Sequence, residues 1–110
     1  MAKQIDDFYE NTTKEWSGVI EHNGGNPDTT GDTITFICKV NKSDNDAAAV
    51  IDVDADGLGA GGIFHFKLTP TITAQTVGEY FYEMIWHTGT DIYVLESDVL
   101  NILDKVQDNV

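Results

Sequence analysis

The chain of 110 residues contains no arginine, and six lysines stand against 19 Asp and Glu for a formal net charge of −13. Phosphate binding depends on Lys and Arg displacing counterions, so neither nucleic acid nor an anionic membrane is an expected partner. Cys38 is the single cysteine, which excludes an intrachain disulfide. No run of eighteen or more apolar residues occurs, so no transmembrane helix is expected. The start, MAKQIDDFYE, has acids where a signal peptide carries its apolar segment. Catalytic signatures are missing as well. There is no G-x-S-x-G, no P-loop, no dinucleotide glycine fingerprint and no His-Glu-x-x-His. Pairs of acids abound only because 19 acids guarantee them. We therefore expect no enzyme and no cofactor.

What is present reads as one domain of ordinary composition, 41% hydrophobic. The acidity has three readings: solubility, attraction to a basic partner, or imitation of nucleic acid in a basic cleft. Mimics string carboxylates along helices, whereas these acids are scattered through β-patterned runs and loops. Cys38 falls in the alternating run Ile34, Phe36, Cys38, Val40, where a small buried hydrophobe belongs. A catalytic thiolate needs positive neighbours, and this chain has few.

Hydrophobic period two recurs along the chain. Residues 1–13 form a polar segment, expected as an N-terminal arm or short helical turn. Residues 14–106 are expected to make up the domain, and 107–110 a polar tail. Lys14–Ile20 reads as a first strand, followed by the turn-rich HNGGNPDTTGD. Asp32–Val40 is a second, and Ala49–Val53 a third before the glycine-rich DGLGAGG. The densest stretch is Gly61–Asp98. Ile63–Leu68 puts Phe64, Phe66 and Leu68 on one face. Glu79–Trp86 puts Tyr80, Tyr82, Met84 and Trp86 on one face and Phe81 and Ile85 on the other. HTGTD is a hairpin loop, IYVLE its return strand, and Val99–Leu103 a last strand. The pattern predicts an all-β chain of about seven strands, either an antiparallel β-sandwich or a small barrel. Phe36, Cys38, Phe64, Phe66, Leu68, Tyr80, Tyr82, Met84 and Trp86 are the expected core.

Candidate sites are sparse. Asp52, Asp54 and Asp56 open like an EF-hand loop, yet Ile63 stands where the twelfth-position Glu should be and strands flank it. They remain a weak calcium candidate beside the reading of a hairpin tip with outward acids. His22, His65 and His87 lack the local spacing of a zinc site. Trp16, Trp86, Tyr80, Tyr82 and Tyr93 suit either a sugar-stacking platform or a filled core. Phe81 and Ile85, apolar beside Glu79 and Glu83 on the outward face of their strand, mark a partner surface unless a loop or the arm covers them.

One resemblance is carried by Gly31-Asp32-Thr33, Phe66-x-Leu68-Thr69, Thr73, Gly78-x-Tyr80-x-Tyr82-Glu83 and Leu100-x-Ile102. Over about residues 31–106 the chain resembles small immunoglobulin-like domains of tailed-phage and prophage virion proteins. It is similar to the N-terminal domain of phage baseplate upper proteins. The resemblance implies an antiparallel immunoglobulin-like sandwich and a non-enzymatic structural role in tail, baseplate, connector or capsid decoration. The implied partners are other virion proteins or further copies of itself, in a virion assembled in the host cytoplasm. Ser97-Asp98 stands where the family has a glycine, so the turn expected there is altered. An acidic inhibitor of a nucleic-acid-binding host protein and a small glycan-binding module are the alternatives.

Overall fold

Alternation of apolar and polar residues is the dominant local signal, and the computed structural model, which describes residues 5–105, resolves it into eight strands. These are β1 (Phe8–Tyr9), β2 (Lys14–Val19), β3 (Thr33–Lys39), β4 (Ile51–Asp54), β5 (Gly57–Leu58), β6 (Ile63–Leu68), β7 (Gly78–His87) and β8 (Ile92–Leu103). A 3₁₀ turn, Asp46–Ala48, interrupts the β3–β4 connection, and no α-helix occurs among the described residues. No helix there is long and apolar enough to cross a membrane. The chain is all-β, in two sheets ordered β1-β8-β7-β3-β4 and β2-β6-β5.

Both sheets turn one face to a common core. Phe36 of β3 meets Trp16 of β2 edge-on at 5.1 Å and Phe66 of β6 at 6.3 Å, while Trp16 stacks on Phe66 at 4.9 Å. The nine residues assigned to the core by alternation are all between 0% and 5% exposed. Ile5, Phe8, Ile20, Ile34, Ile51, Leu100 and Ile102 join them.

Four features differ from the expectation. Residues 8 and 9 form a strand, with Phe8 opposite Ile102 in a parallel ladder, so the pairing is not wholly antiparallel. Ile5 and Phe8 are buried, which makes the described part of residues 1–13 part of the domain and not an arm beside it. Residues 1–4 and the tail 107–110 lie outside the described residues. The two runs IYVLE and VLNIL are one twelve-residue strand, and Ser97-Asp98 sits inside it with no turn. Together with the two-residue β1 and β5, this fusion turns the expected seven strands into eight. Val40, counted with the buried side of its run, lies just past the end of β3 and is half exposed.

The long β8 is possible because of a bulge. Met84 pairs with Glu96 but Ile85 pairs with Val94, so Leu95 has no opposite residue. One extra residue shifts the phase of the strand. Tyr93 and Leu95 face the core before it; Glu96, Leu100 and Ile102 do so after it. A carboxylate is thereby turned inward. Tyr82 Oη donates a 2.6 Å hydrogen bond to Glu96 Oε2, which meets part of the cost of burying it. Burial, reinforced by this bond to Glu96, pushes the Tyr82 hydroxyl above its ordinary value.

Two buried threonines fasten the loops. Thr29 Oγ1 donates to Gly59 O at 3.1 Å, and the Gly59 amide donates back to Thr29 Oγ1 at 3.1 Å, tying the 22–32 loop to the glycine-rich tip. Thr73 Oγ1 donates to Thr12 O at 2.6 Å and accepts from the Thr12 amide at 3.0 Å, tying the β6–β7 crossover to the start of β2.

Candidate functional site

The outward face of the five-stranded sheet is set by register. Lys39, Phe81 and Val99 lie side by side on β3, β7 and β8, and Ile37, Glu83 and Ser97 form the next row. Thr35, Ile85 and Val94 form the row after that. Between the first two rows is a groove of about 410 Å³ with Ile37, Phe81 and Val99 on its floor. Lys39, Lys42, Glu83 and Asp98 line its rim. Lys39 Nζ is committed to the groove wall, donating at 2.8 Å both to Asp44 O and to Asp46 Oδ1. That pair of bonds folds the 41–48 loop up beside the sheet.

Phe81 is therefore part of a walled depression, half-buried, with the almost fully covered Ile37 in the neighbouring row. Ile85 lies on the same face but outside the groove, next to Val94, which is 58% exposed. Together with Ile92, 69% exposed at the end of the same face, these residues make an apolar strip along β7 and β8. Such a strip, bordered by charges, has the composition of a contact surface. Alternation makes Phe81 and Ile85 legible in the sequence. Ile37, Lys42 and Val99 come to the same place only through strand register and the fold of the 41–48 loop, and no local pattern announces them.

The other candidates are dispersed. Asp52 and Asp54 lie on β4, where Asp54 Oδ1 accepts a 2.8 Å bond from Thr35 Oγ1. Asp56 is drawn to the other sheet by His65. The three carboxylates do not converge, and no group of three or more His, Cys, Asp or Glu suited to a metal forms among the described residues. Cys38 is fully buried, and desolvation pushes its thiol up to about 12, far from a thiolate at neutral pH.

The five aromatics do not form a solvent-facing platform. Tyr80, Tyr82 and Trp86 are buried, and Trp16 is folded onto Phe66. Trp86 packs at 5.1 Å on Tyr93 and 5.6 Å from His22, while its Nε1–H donates to Asp32 Oδ2 at 2.9 Å. This cluster closes one end of the core.

Among the described residues, His65 is the histidine held by carboxylates. It projects from the outer face of β6, where Nδ1 bonds Asp56 and Nε2 lies 3.4 Å from Glu15 Oε1. The hydrogen bond to Asp56 leads in raising its pKa, opposed by some desolvation and helped by the charges of Asp56 and Glu15. A pKa raised in the folded state stabilises the fold fully below the unfolded value near 6.5, and the effect is lost as pH rises through the folded value. His65→Gln should therefore lower Tm more at about pH 6 than at about pH 8.5. An equal loss at both would mean that the clamp contributes no charge.

No known family profile matches the chain, and neither does any curated protein or solved structure.

Proposed function

We propose that this chain is a non-enzymatic structural protein of a tailed-phage or prophage virion, an immunoglobulin-like sandwich that works by protein–protein contact. The observation that carries the contact reading is the Phe81 groove: a depression of mixed lining on an open sheet face, with Phe81, Ile37 and Val99 among Lys39, Lys42, Glu83 and Asp98, and with Ile85 and Val94 on the same face. A face built only for solvent has no use for a covered isoleucine and a phenylalanine at its centre.

Two features support the immunoglobulin-like part of the reading. The order β3-β7-β8 opposite β2-β6-β5 has the connectivity of the C-F-G and B-E-D strand sets, with β1 and β4 added at the flanks. Tyr80, near the start of β7, donates its hydroxyl to Thr76 O four residues upstream. This is the geometry of the tyrosine corner of such sandwiches. The virion setting rests on the sequence resemblance. The partners are then other virion proteins or further copies of this chain, met in the host cytoplasm during assembly.

Phe81→Asp with Ile85→Asp places two charges on the contact face and leaves the opposite face of β7 untouched. The double variant should keep its far-UV spectrum and lose roughly tenfold or more in incorporation into particles, since removing central apolar contacts typically costs over 1 kcal/mol each. Incorporation at the unaltered level would sink the proposed surface. Recovery of a nucleic-acid enzyme as the sole partner of the unaltered chain would favour the inhibitor reading instead.

A further inference from the structure

The two sheets have unequal protection at their edges. An open edge strand offers unpaired amides and carbonyls to any other strand, and proteins blunt such edges with bulges, inward charges or shortness. In the five-stranded sheet the two-residue β1 covers β8 at Ile102 and Leu103, and the rest of β8 carries both the Leu95 bulge and the inward Glu96. β4 is four residues long and carries Asp52 and Asp54, and β5 is two residues long. On β2 the one such device is Lys14, at the strand's first position and on the same side as Trp16. The six residues of β2 pair with β6 without a register break, Lys14 and Glu15 cancel in charge, and among the described residues the strand forms the open edge of a sheet two strands narrower than its opposite.

The hydrogen-bond phase of that edge is determined. The Ile20 amide donates to Gly62 O at 2.8 Å, so Ile20 and Gly62 are a hydrogen-bonded pair. Alternation along an antiparallel ladder then turns the amides and carbonyls of Lys14, Trp16 and Gly18 toward β6. Those of Glu15, Ser17 and Val19 point outward.

We propose that this edge is a self-association site, at which β2 of a second copy pairs antiparallel about a two-fold axis at Ser17. The inference concerns a different surface from the Phe81 groove and does not depend on it. The register centred on Ser17 places Glu15 opposite Val19 of the second copy and Lys14 opposite its Ile20, so no carboxylate faces another. In a chain of −13 this is the feature that selects a second copy at β2 over one at the acid-bearing edges of β4 or β8. The same register sets Trp16, still part-exposed at the rim of the core, opposite Gly18 of the second copy in the narrow, non-hydrogen-bonded position. Glycine there leaves room for the indole, and an aromatic across from an edge glycine restores the packing that glycine lacks. Two such Trp–Gly pairs form at once, as an isologous interface requires.

Ser17 supplies the test. Its amide is not used by β6, so Ser17→Pro blocks the new ladder while leaving the β2–β6 bonds in place. The unaltered chain should show twice the monomer mass by light scattering, and Ser17→Pro the monomer mass with an unchanged far-UV spectrum. Directly opposed residues lie about 5.5 Å apart between Cα atoms, within reach of a disulfide. With Cys38 buried, Ser17→Cys should cross-link under mild oxidation roughly tenfold or more faster than Glu15→Cys or Val19→Cys alone. A mixture of those two flanking variants should cross-link as well as Ser17→Cys. A monomer at every concentration up to about 1 mM overturns the proposal. So does a dimer that survives Ser17→Pro, or a Ser17→Cys chain that cross-links no faster than its neighbours. Because Phe81→Asp with Ile85→Asp leaves β2 intact, a dimer that persists in that variant keeps this result separate from the groove.

Discussion

Phe36→Ala should remove a large share of the protein's folding free energy. Phe36 is fully buried and joins the two sheets, contacting Trp16 and Phe66 of one and lying 5.7 Å from Tyr82 within its own. Truncating a buried phenylalanine removes its transfer free energy and leaves a cavity, together about 3–5 kcal/mol. Domains of this size have about 5–15 kcal/mol in all. The corresponding fall in Tm is roughly 15–25 °C. Phe81→Ala on the opposite side of β7 from the core should cost about 1 kcal/mol, because its ring is half-buried against one layer only. Urea titrations of both variants decide the matter. If the two costs are equal, the division of β7 into a core face and a contact face is wrong.

That division was legible because β7 keeps strict alternation for ten residues, and register errors there would turn every side chain to the wrong face. β8 was less legible for a physical reason. Its apolar residues change phase between Leu95 and Leu100, and a phase change in a sequence reads equally as a bulge or as a turn between two strands. The polar Ser97-Asp98 favoured the turn; the ladder to β7, present on both sides of the bulge, selects the continuous strand. Ile5 and Phe8 were hidden differently. Isolated apolar residues in an acidic segment carry no period, and their burial depends on a partner more than ninety residues away in the chain, as in the Phe8–Ile102 pairing. Thr29 and Thr73 suffer from the ambiguity of hydroxyls, which suit both a solvated turn and a buried clasp. The groove was half legible: the Phe81 side was visible in β7, while Lys42 belongs to a loop placed by the bonds of Lys39.

Edge protection bears on the proposed contact surfaces. The bulge and Glu96 divert partners from the edge of β8, while its outward face presents Val94 and Val99 beside Phe81 and Ile85. On the reading proposed above, contact is thereby directed to the face of the five-stranded sheet and to the edge of the three-stranded one. A dimer through β2 would leave both Phe81 grooves open, giving a two-headed connector. An incorporation defect in Ser17→Pro with normal fold would then show that valency, and not the groove alone, is needed.

Gly62→Ala should be the most damaging change outside the core, and Gly61→Ala is its internal control. Both glycines have positive φ, +74° and +83°, where a Cβ costs about 1–2 kcal/mol. They differ in surroundings. A Cβ on Gly61 meets nothing within 4 Å, whereas one on Gly62 falls 2.6 Å from Ile20 O and 3.2 Å from Ile20 N. Those are backbone atoms and cannot rotate aside. Relief requires β2 and the glycine-rich tip to part, which breaks the Ile20–Gly62 bond and strains the clasp between Thr29 and Gly59. One lost backbone bond adds about 1 kcal/mol. Gly62→Ala should thus cost roughly 2–3 kcal/mol against about 1–2 kcal/mol for Gly61→Ala. Denaturant midpoints measured side by side test this, and equal losses would show that backbone conformation alone, not the approach of β2, makes glycine necessary at position 62. The same contact holds Ile20 at the end of β2, so Gly62 also fixes the hydrogen-bond phase on which outward presentation of the Ser17 amide depends.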